Sequence, residues 1–216
     1  RHVWVLINGG PGSGIHKTTD RGQSWTEVKA GLPSNQMGRI GLAGAPSDPN
    51  MLYAIIEASD EEKGVYRSTN FGETWEKRSS YMTTSPQYYN EIVVDPINSD
   101  RIYALNTFTM KSEDGGSTFA PLTTQWRHVD DHALWIDPDN TQHLYIGGDG
   151  GIYESWDRGN TWRHLRNLSI TQFYRIQPDY VEPFYNVCGG TQDNNSLCGP
   201  SRTTNVHGIT NSDWKV

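Results

Sequence analysis

The chain has 216 residues, with 22 Gly, 11 Pro, 8 Trp and 11 Tyr, a composition typical of an all-β protein with many turns. Its 18 Lys and Arg against 25 Asp and Glu give a formal net charge of −7, which argues against nucleic acid or an anionic membrane as the main partner. No apolar run approaches the ~20 residues that a membrane span needs, so no transmembrane segment is expected.

Strand-like segments follow one another along the chain in groups, separated by turn residues. A first, partial group occupies about residues 1–36 and lacks a first strand. Three complete groups of four strands follow at about 37–80, 88–123 and 128–166, and a second partial group occupies 170–216. Each complete group is expected to form a four-stranded antiparallel sheet.

Four copies of one turn pattern, [ST]-x-[DN]-x-G-x-[ST]-[WF], precede the last strand of their groups, at intervals of roughly 43 to 50 residues. The polar, glycine and aromatic positions of the four copies are Asp20, Gly22 and Trp25; Asn70, Gly72 and Trp75; Asp114, Gly116 and Phe119; and Asp157, Gly159 and Trp162.

Each position in this pattern has a physical role in a tight turn. The Asp or Asn oxygen and the leading Ser or Thr hydroxyl can accept backbone N–H groups. The glycine takes a backbone conformation that is closed to other residues. The closing ring can be buried between neighbouring sheets. The pattern therefore predicts a structural turn and not a ligand site.

The pattern resembles the Asp-box, or BNR, repeat of sialidases, sortilin-type receptors, xyloglucanase-type glycoside hydrolases and exported bacterial propellers. The resemblance implies that residues 1–216 are one segment of a β-propeller with four-stranded blades, three complete and two partial. Because an unclosed propeller exposes sheet edges, we expect the remaining blades to come from a longer polypeptide or from a partner chain.

A second repeat, Asp-Pro-x-Asn, lies between the first and second strands of the complete groups. It occurs in full at Asp95–Asn98 and Asp137–Asn140, and at Asp48–Asn50 without the residue between Pro and Asn. The residue types of this repeat favour a turn. These turns and the four turns that end in Trp or Phe are expected at the same end of the sheets. A functional site is therefore expected at the opposite end.

The candidate site residues at that opposite end are polar or aromatic. They are Tyr88, Tyr89, His128, Asp130, Asp131, His132, Asp149, Gln172, Tyr174, Gln192 and Asp193. Strand alternation would point His128, Asp130 and His132 the same way, and these three side chains could ligate a divalent metal, the one candidate cofactor. Alternatively, Asp130 and Asp149 could act as acid and base on a glycosidic bond. The third interpretation is that these groups only hydrogen-bond one another and the turn backbones.

The run from Tyr88 to Asn195 resembles exported bacterial sortilin-type propellers that are often labelled glycosyl hydrolases. The resemblance implies a secreted, periplasmic or cell-surface protein. The opening Asp-Val-Gly-Gly motif of xyloglucanases is absent, so no catalytic aspartate is carried over from that family. The aromatic side chains around the expected site would suit a sugar ring or an extended peptide.

The two cysteines, Cys188 and Cys198, flank a predicted hairpin. A cross-strand disulfide would favour an oxidising compartment, whereas two small buried thiols are the alternative.

Three functions remain open on the sequence. The main hypothesis is an extracytoplasmic binding module that recognises a protein segment or a glycan at the end opposite the repeated turns. A polysaccharide-cleaving glycoside hydrolase that uses paired carboxylates is the first alternative, and a structural module of a larger surface assembly is the second.

Overall fold

The computed structural model describes residues 3–7, 12–166, 173–191 and 195–216. Over these residues the chain is all-β, as predicted, and its helical element is a single 3₁₀ turn at Asn211–Asp213. Within the described ranges, no helix is long and apolar enough to cross a membrane.

The strands form five antiparallel sheets among the described residues. The first sheet contains β1 (Val3–Ile7), β2 (Gly14–Thr18) and β3 (Thr26–Val28). The second contains β4 (Ile40–Ala45), β5 (Asp48–Ile56), β6 (Gly64–Ser68) and β7 (Glu76–Ser79). The third contains β8 (Ile92–Val94), β9 (Ile102–Ala104), β10 (Met110–Ser112) and β11 (Ala120–Pro121). The fourth contains β12 (Asp131–Ile136), β13 (Leu144–Gly148), β14 (Gly151–Ser155) and β15 (Arg163–His164), and the fifth contains β16 (Phe173–Pro178), β17 (Asn186–Thr191) and β18 (Ser196–Pro200).

Each strand pairs with the next one along the chain, so every sheet is an antiparallel meander. Several four-stranded antiparallel sheets are thus confirmed, while the number of blades and the larger propeller stay predictions. One boundary was wrong: Asp48, Pro49 and Asn50 belong to strand β5 and do not form the turn before it. A register shift at Ala45, which pairs with Asp48, adds the extra backbone that moves the turn to residues 46–47.

Hydrophobic clusters lie between successive sheets from the first to the fourth. Alternate residues of a strand point to opposite faces, and β5 shows the consequence: Leu52, Ala54 and Ile56 join a cluster with Ile15 of the first sheet, whereas Tyr53 and Ile55 join a cluster with the third sheet. A third cluster joins the third and fourth sheets through residues such as Tyr103, Leu144 and Ile146.

Each of the four repeated turns has the same pattern of hydrogen bonds. In the fourth turn, the Ser155 hydroxyl donates to Asp157 (2.8 Å) and accepts the N–H of Gly159 (2.8 Å). The Asp157 carboxylate accepts the N–H and the hydroxyl of Thr161 at 2.8 and 2.7 Å. The residue before the glycine, Arg158, also has a positive φ of 58°, which the pattern did not predict. These side chains replace the backbone partners that a tight turn leaves unpaired.

The closing rings do not all behave alike. Trp75 and Trp162 are buried, and Phe119 stacks on Tyr81 with ring centroids 4.3 Å apart. Trp25 is 41% exposed, so the expectation of burial is wrong for this ring. Trp75 lies against the connection that leaves the preceding sheet. Its backbone N–H donates a hydrogen bond to Ala30 O there. The described residues contain no sheet before the first one that could cover Trp25 in the same way.

A basic side chain lies between two carboxylates at the turn end of both the third and the fourth sheets. Arg101 contacts Asp95 (2.9 Å) and Glu113 (2.7 Å). At the corresponding place in the fourth sheet, the ring nitrogens of His143 lie 3.3 Å from Asp137 and 3.1 Å from Glu154. Hydrogen bonds from Tyr145, His143 and Arg163, opposed by burial, lower the pKa of Glu154 to about 2.

Cys188 and Cys198 form a disulfide, as predicted. The two residues are direct partners in the pairing of β17 with β18. The alternative of two buried thiols is therefore excluded.

We expect Asp157→Ala to destabilise the folded chain by about 1–2 kcal/mol, because the N–H of Thr161 and two hydroxyl groups lose their partner. Asp157→Asn should cost less, since Asn70 performs the same role in the second turn by accepting the N–H of Thr74 at 3.0 Å. Chemical denaturation of the parent and both variants measures the difference. Equal stability of the alanine variant and the parent would contradict the role given to this side chain.

Candidate functional site

The candidate site lies at the end of the sheets opposite the repeated turns. The segments that lead into β8 and β12 reach this end, and so do the hairpins that join β9 to β10 and β13 to β14. Gln172, Gln192 and Asp193 lie outside the described residues, so their proposed role stays a prediction.

Tyr89 lies at the centre of this end. Its hydroxyl donates a hydrogen bond of 2.5 Å to Asp130 Oδ1 and accepts one of 3.3 Å from Thr107. The ring is 8% exposed, and burial, together with the hydrogen bond to Asp130, raises the pKa of the Tyr89 phenol above its ordinary value.

A second carboxylate joins the same group. The ring of His132 stacks on Tyr89 with centroids 5.2 Å apart, and its Nε2 is 3.6 Å from Asp149 Oδ1. The N–H of Asp149 donates to the carbonyl of Asp130 (3.3 Å), so the two acidic residues stand on adjoining loops. A Cβ on Gly148 would lie 2.0 Å from that carbonyl oxygen, which explains why glycine is required there. We call Tyr89, Asp130, His132 and Asp149 the polar cluster.

The expected alternation of His128, Asp130 and His132 is wrong. Strand β12 begins only at Asp131, Asp130 has a positive φ of 65°, and the register shifts between Asp131 and Ala133. His128 packs over Gly150, and its Nδ1 lies 2.7 Å from Val129 O. Within the part of the chain that the structure describes, no three His, Cys, Asp or Glu side chains are placed to hold a metal ion.

Asp131 is 2% exposed and does not face the surface on which a ligand would lie. Its carboxylate pairs with Arg127 and accepts a hydrogen bond of 2.6 Å from Thr109. Burial raises the pKa of Asp131, and Arg127 and Thr109 oppose that rise. Arg127 was not predicted, because a single arginine in a loop carries no pattern that indicates a buried ion pair.

Large aromatic side chains are exposed around this end. Tyr88 is 71% exposed, Trp126 is 84% exposed and Tyr174 is 72% exposed. Tyr88 directly precedes Tyr89 of the polar cluster, and Trp126 is in the segment that leads to Asp130. Phe173, which directly precedes Tyr174, is half-buried, and its ring centroid lies 5.9 Å from that of Trp214. The site thus combines exposed rings with a group of hydrogen-bonding side chains.

The chain is similar in sequence to two xyloglucanases. A xyloglucanase of Acetivibrio thermocellus is 25% identical over 178 residues, which are 69% of this chain and 21% of the relative. A xyloglucanase of Paenibacillus sp is 24% identical over 204 residues, which are 81% of this chain and 19% of the relative. The chain therefore spans about a fifth of the length of these curated relatives. No family model matches the chain.

Solved structures show the same fold. The GH74 enzyme of Niastella koreensis superposes with a TM-score of 0.59 and 17% identity over 99% of this chain and 35% of that one. The GH74 xyloglucanase of Xanthomonas campestris superposes with a TM-score of 0.57 and 16% identity over 92% of this chain and 34% of that one. These similarities support a β-propeller fold. The Asp-box and sortilin-type resemblances remain predictions.

We expect Asp130→Asn to lower the pKa of the Tyr89 phenol toward its ordinary value of 10.0, because a neighbouring carboxylate disfavours the phenolate. Asp149→Asn should lower it less, since Asp149 acts only through its charge and without a hydrogen bond to the phenol. Titration of ¹³C-labelled tyrosine by NMR, with the Tyr89→Phe spectrum to assign the signal, measures both shifts. An unchanged Tyr89 titration in Asp130→Asn would contradict this geometry.

Proposed function

We propose that this chain is a glycan-binding segment of a propeller related to glycoside hydrolases, and that it binds xyloglucan or a similar neutral polysaccharide. The observation that carries the proposal is the exposure of three rings: Tyr88 and Trp126, which are close in the chain to members of the polar cluster, and Tyr174 at the start of the first strand of the fifth sheet. The binding-module hypothesis is thereby kept, with a glycan as its ligand.

Aromatic rings suit a sugar because each offers a large, flat apolar surface. A pyranose presents C–H groups on its faces, and contact with a ring removes both surfaces from water. Exposed apolar surface marks a binding site when several rings lie on one face of a protein, whereas a single exposed ring does not. Trp126 is 84% exposed and thus has almost its entire ring available for such contact.

The polar cluster supplies the hydrogen bonds that a sugar also needs. Carboxylates accept bonds from hydroxyl groups, and bonds to charged acceptors are among the stronger ones. His132 is half-exposed on its side chain (42%), and Asp149 is partly exposed (19%). Both side chains are therefore accessible from solvent.

Charge favours a neutral glycan over an acidic one. The cluster contains two carboxylic acids, and the whole chain carries a net charge of −7. A polyanionic glycan would be repelled at such a site. The names of the curated relatives, which are xyloglucanases, favour the same class of neutral polysaccharide over a protein segment.

The disulfide supports an extracytoplasmic location, which we include in the proposal. Disulfides persist in oxidising compartments and are rare in the cytosol. Cys188 and Cys198 are bonded to one another, so the chain fits a secreted, periplasmic or cell-surface protein. Polysaccharides are encountered in these compartments.

We expect Trp126→Ala and Tyr88→Ala each to weaken binding of xyloglucan oligosaccharides about tenfold, because a stacked ring contributes roughly 1–1.5 kcal/mol. Isothermal titration calorimetry measures the affinities. The matched control is Tyr180→Ala, which removes an equally exposed ring (74%) from the hairpin between β16 and β17 at the opposite end. Failure of the parent to bind any neutral glycan, or an equal loss in the control, would refute the proposal.

Hydrolysis is a second candidate function, favoured by the adjoining positions of two carboxylates. Asp130 accepts a hydrogen bond from a phenol, while Asp149 stands beside an imidazole. Glycoside hydrolysis uses two carboxyl groups in different environments, one as an acid and the other as a base or nucleophile.

If the chain hydrolyses its ligand, Asp130→Asn and Asp149→Asn should each reduce the rate of sugar release at least 100-fold, because an amide can neither transfer the proton nor act as a base or nucleophile. Reducing-end assays on xyloglucan, with circular dichroism to check the fold, measure this effect. Absence of product from a parent that binds the polysaccharide would exclude hydrolysis and leave binding as the function.

A further inference from the structure

We infer that the buried ion pair of Arg127 and Asp131 holds the loop of residues 127–131 in the conformation that presents Asp130 to the ligand. The inference rests on the proposed function and assigns a positioning role to two buried residues.

The pair closes the base of this loop. The side chain of Arg127 is 0% exposed and that of Asp131 is 2% exposed. His128 and Asp130 lie between them in the loop. The Arg127 guanidinium also donates to His128 O at 3.2 Å. One cation therefore binds both the last residue and the second residue of the same short loop.

Neighbouring elements hold the pair in turn. The Thr109 hydroxyl donates to Asp131 at 2.6 Å. The guanidinium carbon of Arg127 lies 5.1 Å from the ring centroid of Trp162, within the range of a cation–π interaction. The closing ring of the fourth repeated turn is thus in contact with the loop that forms the site.

The loop has an uncommon backbone conformation that its surroundings hold in place. Asp130 has a φ of 65°, a left-handed conformation that aspartate adopts more readily than most residues with a Cβ but that is still less populated than the extended and right-handed regions. Two backbone bonds assist: Asp130 N to Thr107 O (3.0 Å) and Asp131 N to Asn106 O (3.2 Å). If the two ends of the loop were released, we expect Asp130 to leave the left-handed region and its hydrogen bond to Tyr89.

A buried ion pair is a poor source of stability compared with apolar side chains of similar volume. Removal of one partner leaves an unpaired charge in the interior, whereas replacement of both partners by apolar residues is often tolerated. Arg127→Met/Asp131→Leu therefore separates the two roles: the core remains filled, but the bonds from Arg127 Nη1 to the Asp131 carboxylate and to His128 O are gone.

The test compares this double variant with the parent by thermal unfolding, hydrogen exchange and titration with xyloglucan oligosaccharides. We expect a fold that remains cooperative, backbone exchange at residues 128–131 at least tenfold faster, and affinity about tenfold lower. A folded double variant with the parent's exchange rates and affinity would overturn the inference.

The matched control is Arg101→Met/Asp95→Leu, which removes a buried pair at the turn end of the third sheet. In that pair the side chains are 12% and 0% exposed. The control is expected to leave exchange at residues 128–131 and glycan affinity unchanged. An equal effect of the two double variants would show a general loss of stability and would overturn the positioning role.

Thr109→Val keeps the test decisive should the Arg127→Met/Asp131→Leu variant fail to fold. The change is nearly isosteric, and it removes only the hydrogen bond to Asp131. We expect exchange at residues 128–131 to rise about threefold, and unchanged exchange would count against the inference. A parent that binds no glycan would refute the proposed function alone, because the exchange measurements need no ligand.

Discussion

The second and third sheets of this chain depend on burial of both their faces. Alternate residues of β5 pack toward the first and the third sheets, so neither set is protected without its neighbour. The same constraint explains why Trp75 and Trp162 are buried while Trp25 is 41% exposed: the first two rings have a preceding sheet to pack against. Stacked sheets leave only their two ends free for turns and loops.

The two ends differ because their backbone groups are satisfied in different ways. At one end, short side chains such as those of Ser155 and Asp157 close each turn by local hydrogen bonds, and little polar capacity remains for a ligand. At the other end, longer loops contact one another through tertiary bonds, such as that from Tyr89 to Asp130. The candidate site residues therefore lie where the local turn chemistry is absent.

Much of the architecture follows from local patterns. The bounds of β2, β6, β10 and β14 follow directly from the turn that comes after each of them, since a tight turn with a fixed hydrogen-bond network also fixes where its strand ends. The disulfide of Cys188 and Cys198 could likewise be predicted from the sequence, because a hairpin places its flanking residues opposite one another. The candidate site was predicted less well. Alternation failed at Asp130, where a left-handed residue and a register shift replace the expected extended strand, and Arg127 gave no local signal.

The sequence by itself therefore determined the all-β class, the repeated turns and the disulfide. These properties depend on contacts between residues close together in the chain, whose types and spacing are visible in the sequence. Only the tertiary structure decided that Asp131 is buried with Arg127, that Asp130 bonds Tyr89 and that Asp149 adjoins both loops. Such contacts join residues from separate loops and sheets, and their geometry is set by how the sheets pack and not by any local pattern.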